Sequence, residues 1–170
     1  RLPADILIYE RFHRMIKIMF VCHGNICRSP MAEFVMRDCA RLRGLEGLLH
    51  IESAATSTEE IGNPVHRGTR RILSAKGIEC AGKTARQMTK SDYETFDLLI
   101  GMDDENIRRM RVICGGDPDS KIAKLLAYAG SSRSIADPWY TGDFETTYQD
   151  VKQGCEALCD HLELSGILYR

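Results

Sequence analysis

The chain has 170 residues and a formal net charge of −1. Because nucleic-acid-binding domains carry a strong excess of Lys and Arg, this balance argues against a nucleic-acid partner. No apolar run approaches the roughly 20 residues that a membrane-spanning helix needs, and we expect no membrane partner. The length suits one compact α/β domain with a sizeable core and leaves no room for a second large domain.

Seven cysteines, an odd number, are distributed along the chain. Their spacings match no paired Cys-x-x-Cys zinc template, and a chain of this length does not need a disulfide scaffold. No basic-then-apolar signal peptide is recognisable at the start. We therefore expect mostly free thiols in a reducing compartment, and a cytoplasmic protein.

The first 14 residues do not resemble the start of this domain, because they combine alternating charges with few apolar side chains. A strand follows directly after Met15. We interpret residues 1–14 as an N-terminal extension that need not be native, and residues 15–170 as the domain. The alternative is a short amphipathic helix that packs on the surface or on another copy of the chain.

The rest of the chain alternates short apolar runs with segments of helical periodicity. The first strand, residues 16–21, is followed by a turn, after which Ser29 can cap a helix and Pro30 fits its first position. Residues 121–129 have helical propensity but are also short enough for a strand. Beyond these, the pattern predicts strands at 49–54 and 96–102, helices at 29–44, 65–76, 103–112 and 144–164, and loops at 55–64 and 131–142.

This alternation predicts a single Rossmann-like domain, with a four-stranded, twisted parallel sheet and helices on both faces. Ligands of such sheets bind beyond the carboxyl ends of the strands. Cys22, which follows the first strand, is therefore expected at the functional edge of the sheet.

Cys22 and Arg28 lie at the two ends of the turn between the first strand and the first helix. Gly24 and Asn25 tolerate the left-handed backbone that lets successive N–H groups point inward. The helix start adds the positive end of its dipole, and Arg28 adds a planar fork for two phosphate oxygens. These surroundings favour a thiolate at Cys22. We therefore predict a phosphate site with a nucleophile; the alternative is a buried core thiol beside a surface arginine.

The run CHGNICRSP at residues 22–30, followed by Met31-Ala32-Glu33, resembles the signature of the low-molecular-weight protein tyrosine phosphatases. The resemblance covers about residues 15–164. It implies the phosphotyrosine phosphatase I-like fold and a phosphoric monoester hydrolase with the Cys-x5-Arg loop. Further matches follow in order along the chain: Ser53-Ala54 with Thr56-Ser57, GNPVH at 62–66, Ala85-Arg86-Gln87, Met102-Asp103, and Asp137-Pro138 with Tyr140.

The resemblance implies that three residues carry the chemistry. Cys22 would attack the phosphorus and form a phosphocysteine. Arg28 would hold the equatorial oxygens together with the loop amides. Asp137 would protonate the leaving oxygen and then activate the hydrolytic water. No metal or organic cofactor is needed. We expect phosphotyrosine proteins as substrates, phosphate or a similar oxyanion as product or inhibitor, and a monomer or weak dimer.

The remaining site residues are also carried over from the resemblance. Ser29 would donate a hydrogen bond to the Cys22 thiolate. Asn25 would keep the loop in shape, with Ser53 as its partner. Cys27 would form a reversible disulfide with Cys22, or else would be a small packed residue. Phosphate and substrate contacts are expected from His23, Gly24, Asn25, Ile26, Cys27, Ser29, Trp139 and Tyr140.

One segment departs from the family pattern. The loop after the second strand usually offers an aromatic or bulky apolar residue to the substrate ring, but residues 57–61 read Ser-Thr-Glu-Glu-Ile. Glu59 and Glu60 would repel acidic peptides, and Ile61 is the apolar substitute. Trp139 and Tyr140 would then provide most of the aromatic contact.

Three other functions remain open. A protein-arginine phosphatase of this fold would have a threonine where this chain has Ile26, and an apolar side chain suits a phenyl ring better. An arsenate reductase needs further cysteines near the end of the third strand, where residues 101–104 contain none. A non-catalytic phosphate-binding module or phosphocysteine carrier would not need Cys22, Arg28 and Asp137 together.

Several other residues are expected to be structural. We interpret His66, at a helix start, as a cap or surface group rather than a base. Arg67, Arg70 and Arg71 are expected on a solvated helix face. Core packing is expected for the remaining cysteines, which are Cys39, Cys80, Cys114, Cys155 and Cys159.

Overall fold

A computed structural model of the protein describes residues 15–169 and contains one sheet of four parallel strands. Across the sheet, the second strand of the chain lies at one edge, followed by the first, the third and the fourth. The predicted fold class is confirmed; the predicted extension at residues 1–14 lies outside the described residues. In chain order the strands are β1 (Ile16–Cys22), β2 (Leu49–Ala55), β3 (Leu98–Gly101) and β4 (Ile122–Lys124).

Helices connect the strands and cover both faces of the sheet. None of the helices within residues 15–169 is long and apolar enough to cross a membrane. Two of them, Asp92–Thr95 and Pro138–Thr141, are single turns. The helices are α1 (Arg28–Leu42), α2 (Arg67–Ala75), α3 (Asp92–Thr95), α4 (Asp104–Cys114), α5 (Pro138–Thr141) and α6 (Phe144–Leu164).

The central strand β1 separates two hydrophobic cores. Ile18 and Phe20 face the larger core, which α1 and α6 cover, whereas Met19 and Val21 face a smaller core beneath α4. All four side chains are fully buried. Because successive side chains of a strand point to opposite faces, an uninterrupted apolar run is what a strand between two helical layers requires. Each such buried side chain contributes about 1.5–3 kcal/mol.

The packing of the last helix depends on one small residue. At Gly154 of α6, a Cβ atom would lie 2.4 Å from Cγ of Leu125, which begins the 3₁₀ turn Leu125–Ala129 after β4. The ambiguous 121–129 segment divides into two elements. Its first residues pair as β4, and its remaining residues curl into the 3₁₀ turn beneath α6.

Two local predictions were wrong. Residues 131–142 are not entirely a loop, because Pro138–Thr141 forms α5, which Asp137 caps by accepting from the Trp139 N–H. Ser29 does not cap α1 and Pro30 is its third residue rather than its first, since the helix already begins at Arg28 and the residue before it provides no side-chain cap. The Ser29 hydroxyl instead faces Cys22.

In this strand order, β1 has β2 on one side and β3 on the other. The chain leaves β1 for β2 on one side and later pairs β3 with β1 on the other. The carboxyl end of β1 is therefore a topological switch point, where open α/β sheets form their ligand crevice. Cys22 is the last residue of β1, as the sequence predicted within one residue.

Candidate active site

The loop after β1 turns its carbonyl groups toward the surrounding scaffold. Cys22 O accepts from Thr56 N–H at 2.9 Å, and Ile26 O accepts from His66 N–H at 2.8 Å. Cys27 O accepts from the Thr69 hydroxyl at 3.1 Å. A loop whose carbonyls are bound by the scaffold can direct its N–H groups to the inside of the curl. Converging amides at a helix start form an anion site.

One residue, Asn25, adopts the left-handed conformation in this loop, with φ of 58°. The prediction included Gly24, whose φ is not positive. Gly24 is small for another reason: a Cβ atom there would lie 3.2 Å from Cγ of Glu60. The strained backbone of Asn25 is held because its Oδ1 accepts from the Arg86 N–H at 3.2 Å.

The side chain of Asn25 connects the cysteine to a buried carboxylate. Its Nδ2 donates to Ser29 Oγ at 2.8 Å and to Ser53 Oγ at 2.9 Å, the partner that the family resemblance implied. Ser53 in turn donates to Glu33 Oε1 at 2.7 Å. Because Ser29 Oγ accepts from Asn25, its own proton can point toward Cys22 Sγ, 3.0 Å away. The hydrogen-bond chain therefore allows the Ser29 hydroxyl to donate to the cysteine, which is nearer than its other acceptor, Ala54 O at 3.4 Å.

Glu33 is a buried residue that the sequence analysis did not assign to the site. Its carboxylate is 3% exposed and is paired with Arg37 at 2.8 Å and with Lys83 at 3.5 Å. Two cations compensate for its burial and keep it an acceptor. Glu33 lies in the Met-Ala-Glu segment after the signature, but no local pattern showed that it would meet Ser53, which is 20 residues away.

Replacing Ser53 by Ala should lower the free energy of unfolding by about 1–3 kcal/mol, because Glu33 loses a donor and Asn25 loses an acceptor in a buried region. Urea unfolding measures this loss. The matched control is Ser57→Ala: the Ser57 hydroxyl accepts one exposed bond of 3.4 Å from the Glu59 N–H, and its loss should cost less than about 0.5 kcal/mol. Equal losses in the two variants would contradict the role given to Ser53.

Arg28 lies across the loop from Cys22 with its guanidinium almost completely buried. Its Nη1 donates to Asp103 Oδ2 at 2.6 Å and to Ile135 O at 3.0 Å, and its Nη2 donates to Asp137 Oδ2 at 3.3 Å. Burial opposes the charge, but Cys22, Asp103 and Asp137 hold the pKa of Arg28 above its usual value. The guanidinium is therefore a fixed cation.

One nitrogen of this guanidinium has no protein partner. Arg28 Nε is buried, and no atom of residues 15–169 accepts a hydrogen bond from it. An unpaired buried donor is costly unless a ligand satisfies it. An anion held by the loop amides would supply the missing acceptor.

Asp103 is the second site residue that the sequence analysis left without a role. It caps α4 by accepting from the Asn106 N–H through Oδ1, and its Oδ2 holds Arg28. The Met102-Asp103 pair was a matching segment, but only the parallel pairing of β1 with β3 brings it beside the loop.

The carboxylate of Asp137 lies at the same cleft as Cys22, although 115 positions separate them in the sequence. Its Oδ1 accepts from the Trp139 N–H at 3.1 Å, which orients the group toward Arg28. The cleft contains most of the predicted contact residues; its lining is Cys22, His23, Gly24, Ile26, Cys27, Glu59, Glu60, Asp137, Trp139 and Tyr140.

The predicted substitute Ile61 is not part of this lining and is 54% exposed. Asn25 and Ser29 are buried behind the lining, where they contact Cys22 and the scaffold rather than the open cleft. The cleft thus brings together the Cys22 thiol, the Asp137 carboxyl group and the aromatic side chains of Trp139 and Tyr140.

A family model described as low molecular weight phosphotyrosine protein phosphatase matches residues 17–165. The chain belongs to this family. It is accordingly an enzyme of the protein-tyrosine-phosphatase class, as the sequence resemblance indicated.

Relatives from distant organisms support the assignment. The chain is 47% identical over 146 residues to the low molecular weight protein-tyrosine-phosphatase YfkJ of Bacillus subtilis, a match that covers 85% of this chain and 94% of YfkJ. It is 40% identical over 148 residues to the low molecular weight phosphotyrosine protein phosphatase of Gallus gallus, covering 84% and 93%.

Solved structures give the same result for the fold. The crystal structure of YfkJ matches with a TM-score of 0.85 and 45% identity, over 89% of this chain and 96% of that one. SP-PTP, the low molecular weight protein tyrosine phosphatase from Streptococcus pyogenes, matches with a TM-score of 0.78 and 44% identity, over 87% and 93%.

Two cysteines of this phosphatase, Cys22 and Cys27, line the cleft, and the other five lie outside its lining. Cys22 faces the Ser29 hydroxyl. Burial raises the pKa of Cys27, its neighbour in the loop, to about 12. Burial also raises the pKa of Cys155 and Cys159 in α6, which agrees with their predicted core positions. All cysteines within residues 15–169 are free thiols, so the reversible Cys22–Cys27 disulfide stays a prediction.

Proposed function

We propose that the protein hydrolyses phosphotyrosine in proteins, and aryl phosphates, through a phosphocysteine intermediate. The observation that carries the proposal is the buried Arg28 guanidinium, which lies beside Cys22 and keeps an unpaired Nε–H donor. A planar cation with one remaining donor, next to inward-facing amides, suits a tetrahedral oxyanion.

In the first step, the Cys22 thiolate attacks the phosphorus, and the sulfur–phosphorus bond forms as the bond to the phenolic oxygen breaks. Asp137 gives its proton to that leaving oxygen. Arg28 and the loop amides hold the equatorial oxygens, whose charge they stabilise in the transition state. Ser29 donates to the sulfur, which supports the thiolate as nucleophile and later as leaving group.

In the second step, water replaces the sulfur on phosphorus. Asp137, now ionised, takes a proton from the attacking water, and the Cys22 thiolate leaves. Inorganic phosphate is the product, and it occupies the place that the phosphoryl group held. The side chains of this chain supply every proton and charge that the two steps require, and we propose that no cofactor takes part.

Hydrolysis of p-nitrophenyl phosphate by the purified protein tests the phosphatase activity directly. Peptides that carry phosphotyrosine or phosphoarginine then distinguish the two substrate classes. We expect the phosphotyrosine peptide to be the better substrate, because Ile26 packs with Cys27 and Ala85 as an apolar floor suited to a phenyl ring. Preference for the phosphoarginine peptide would instead identify a protein-arginine phosphatase.

Replacing Asp137 by Ala should slow turnover by about 10²–10⁴-fold with a poor leaving group, because the phenolate then leaves without a proton. Phenyl phosphate, whose leaving group is basic, should therefore lose more than p-nitrophenyl phosphate does. Inhibition by inorganic phosphate should change little, since Arg28 and the loop remain. A uniform loss across both substrates would rule out Asp137 as the general acid.

The acidic side of the cleft should influence which peptides bind. Glu59 Oε2 lies 2.9 Å from His23 Nε2, and Glu60 lies against Gly24. Replacing both carboxylates by Gln should raise kcat/KM about 3- to 10-fold for a phosphotyrosine peptide with acidic flanks, because two repulsions of up to about 1 kcal/mol each are removed.

The same double variant should hydrolyse p-nitrophenyl phosphate within about twofold of the wild-type rate, and added salt should reduce the difference between peptides. Glu79→Gln, at an exposed position outside the cleft, is the control. If the acidic and neutral peptides respond equally, the two carboxylates do not set the preference.

We further propose a cytoplasmic location and a monomer or weak dimer as the working form. The free thiols of residues 15–169 support a reducing compartment. Size-exclusion chromatography with light scattering measures the oligomeric state.

A further inference from the structure

Trp139, one of the aromatic residues that line the cleft, contacts a histidine that the mechanism does not use, His66. Trp139 follows Asp137 by two residues and is 58% exposed. Its indole meets the imidazole of His66 edge-on, with ring centroids 5.7 Å apart and an angle of 79° between the planes. The turn that carries the proposed general acid therefore has an aromatic contact with the start of α2.

The other side of the same imidazole packs on the last helix. His66 stacks on Phe144, the first residue of α6, with centroids 5.1 Å apart and planes 14° from parallel. The contact is tight, because a Cβ atom at Gly68 would lie 2.5 Å from the Phe144 ring. The imidazole thus contacts Trp139 within α5 and Phe144 at the start of α6.

The backbone of His66 contacts the phosphate loop. Its N–H donates to Ile26 O at 2.8 Å, and its Nδ1 accepts from the Gly68 N–H at 3.0 Å to cap α2. A ring nitrogen that accepts a hydrogen bond carries no proton, so this geometry requires the neutral imidazole. The sequence analysis predicted the cap, but not the aromatic contacts.

We propose that His66 is a positioning residue, which holds the Asp137 turn against the Cys22 loop through Trp139, Phe144 and the Ile26 carbonyl. The proposal rests on the proposed function, because it assumes that Asp137 must lie at a fixed place to act as an acid. It concerns a contact, however, that can be measured without any turnover.

The charges around His66 determine when the contact exists. Burial lowers its pKa from the ordinary value of 6.5, and Arg67 and Arg70 on its own helix add to this effect. Glu60, from the loop after β2, opposes it. The contacts from the other packed segments are uncharged rings, although Asp137 and Asp143 lie near them in the chain.

The sign of the pH effect follows from this lowered pKa. As the pH falls below 6.5, the unfolded chain binds a proton before the folded protein does, so the stability contributed by neutral His66 decreases. At a lower pH, the folded protein also takes up the proton, and Nδ1 can no longer accept from Gly68. The His66 contact is therefore complete at neutral pH and is lost in acid.

Trp139 is the only tryptophan of the chain, so its fluorescence reports this contact without labelling. A protonated imidazole quenches a neighbouring excited indole more strongly than a neutral one. We expect the emission of the wild-type protein to fall as the pH is lowered, with a midpoint below 6.5. In His66→Asn and His66→Phe this step should be absent, because no imidazole remains beside the indole.

Kinetic measurements separate the two contributions of His66, the cap of α2 and the aromatic contacts. His66→Asn keeps a helix cap but loses the stacking, whereas His66→Phe keeps an aromatic ring and loses the cap. We expect kcat for phenyl phosphate to fall about tenfold in His66→Asn, because displacement of a proton donor by a fraction of an ångström is costly. His66→Phe should recover part of this loss, and KM should change by less than about twofold in both.

The matched control is His161→Asn, since His161 also meets an aromatic ring edge-on, Tyr128 at 5.2 Å, but far from the cleft in α6. This variant should keep both the fluorescence step and the wild-type kcat. Circular dichroism identifies any variant that does not fold, and the wild-type titration then still decides whether the contact exists.

A fluorescence step that persists in His66→Asn, or no step in the wild-type protein, would overturn the proposal. So would wild-type kcat in His66→Asn. A wild-type protein that hydrolyses no aryl phosphate would instead contradict the proposed function and leave the fluorescence result valid on its own.

Discussion

Replacing Cys22 by Ser should lower kcat for aryl phosphates by about 10⁴-fold or more, since removing the nucleophile removes the step on which the other groups act. A serine hydroxyl is protonated at neutral pH, and the group that faces it, Ser29, is another hydroxyl rather than a base. The variant should still bind tungstate, because Arg28 and the loop amides are unchanged. Steady-state hydrolysis and calorimetric titration measure the two properties.

Cys27→Ser is the matched control for this substitution. Cys27 lies in the same loop, but burial raises the pKa of its thiol to about 12, so it is protonated at neutral pH and cannot attack phosphorus. Because its Sγ packs with Ile26 and Ala85 rather than reacting, we expect kcat within about tenfold of wild type. Residual activity in Cys22→Ser combined with complete loss in Cys27→Ser would exchange the two assignments.

Replacing Arg28 by Lys should lower kcat/KM by about 10³–10⁵-fold, the range that transition-state arginines provide in phosphoryl transfer. A lysine keeps the charge but has one donor centre in place of the planar fork. It cannot contact Asp103 and the Ile135 carbonyl and also present a second nitrogen to the phosphoryl oxygens. Inhibition by phosphate should weaken in parallel, which phosphate titration of the residual activity measures.

Arg41→Lys is the control on the same helix. Arg41 is exposed, and its guanidinium pairs with Asp38 one turn earlier. Such surface pairs contribute little to stability, so activity should stay within experimental error and stability should change little. If Arg28→Lys behaved in the same way as Arg41→Lys, the Arg28 fork would not be part of the phosphate site.

The sequence analysis succeeded where local physics is decisive. The apolar run of β1 and the long periodic pattern of α6 were found at nearly their observed limits, because burial on one or both faces leaves a regular spacing. It failed where a side chain serves a distant partner. Serine is a common helix-capping residue, yet Ser29 is the second residue of α1 and its hydroxyl contacts Cys22.

The same distinction explains which site residues were missed. Glu33 and Asp103 follow no recognisable local pattern of chemistry, because each acts on a residue from another element. Glu33 reaches the cysteine through Ser53 and Asn25, and Asp103 reaches Arg28 across the β1–β3 pair. The pairing of Asp103 with Arg28 therefore became visible only when the strands were in register.

The sequence by itself predicts the chemistry that we propose for this protein: a cysteine after an apolar strand, a loop whose Gly and Asn tolerate left-handed backbone, and an arginine at a helix start. These features are local, since six consecutive peptide units and one helix dipole create the anion site. Only the tertiary structure decided how that chemistry is supported. The parallel sheet brings Asp137, Asp103 and Glu33 to one edge, and packing alone selects His66 as the contact between the acid turn and the loop.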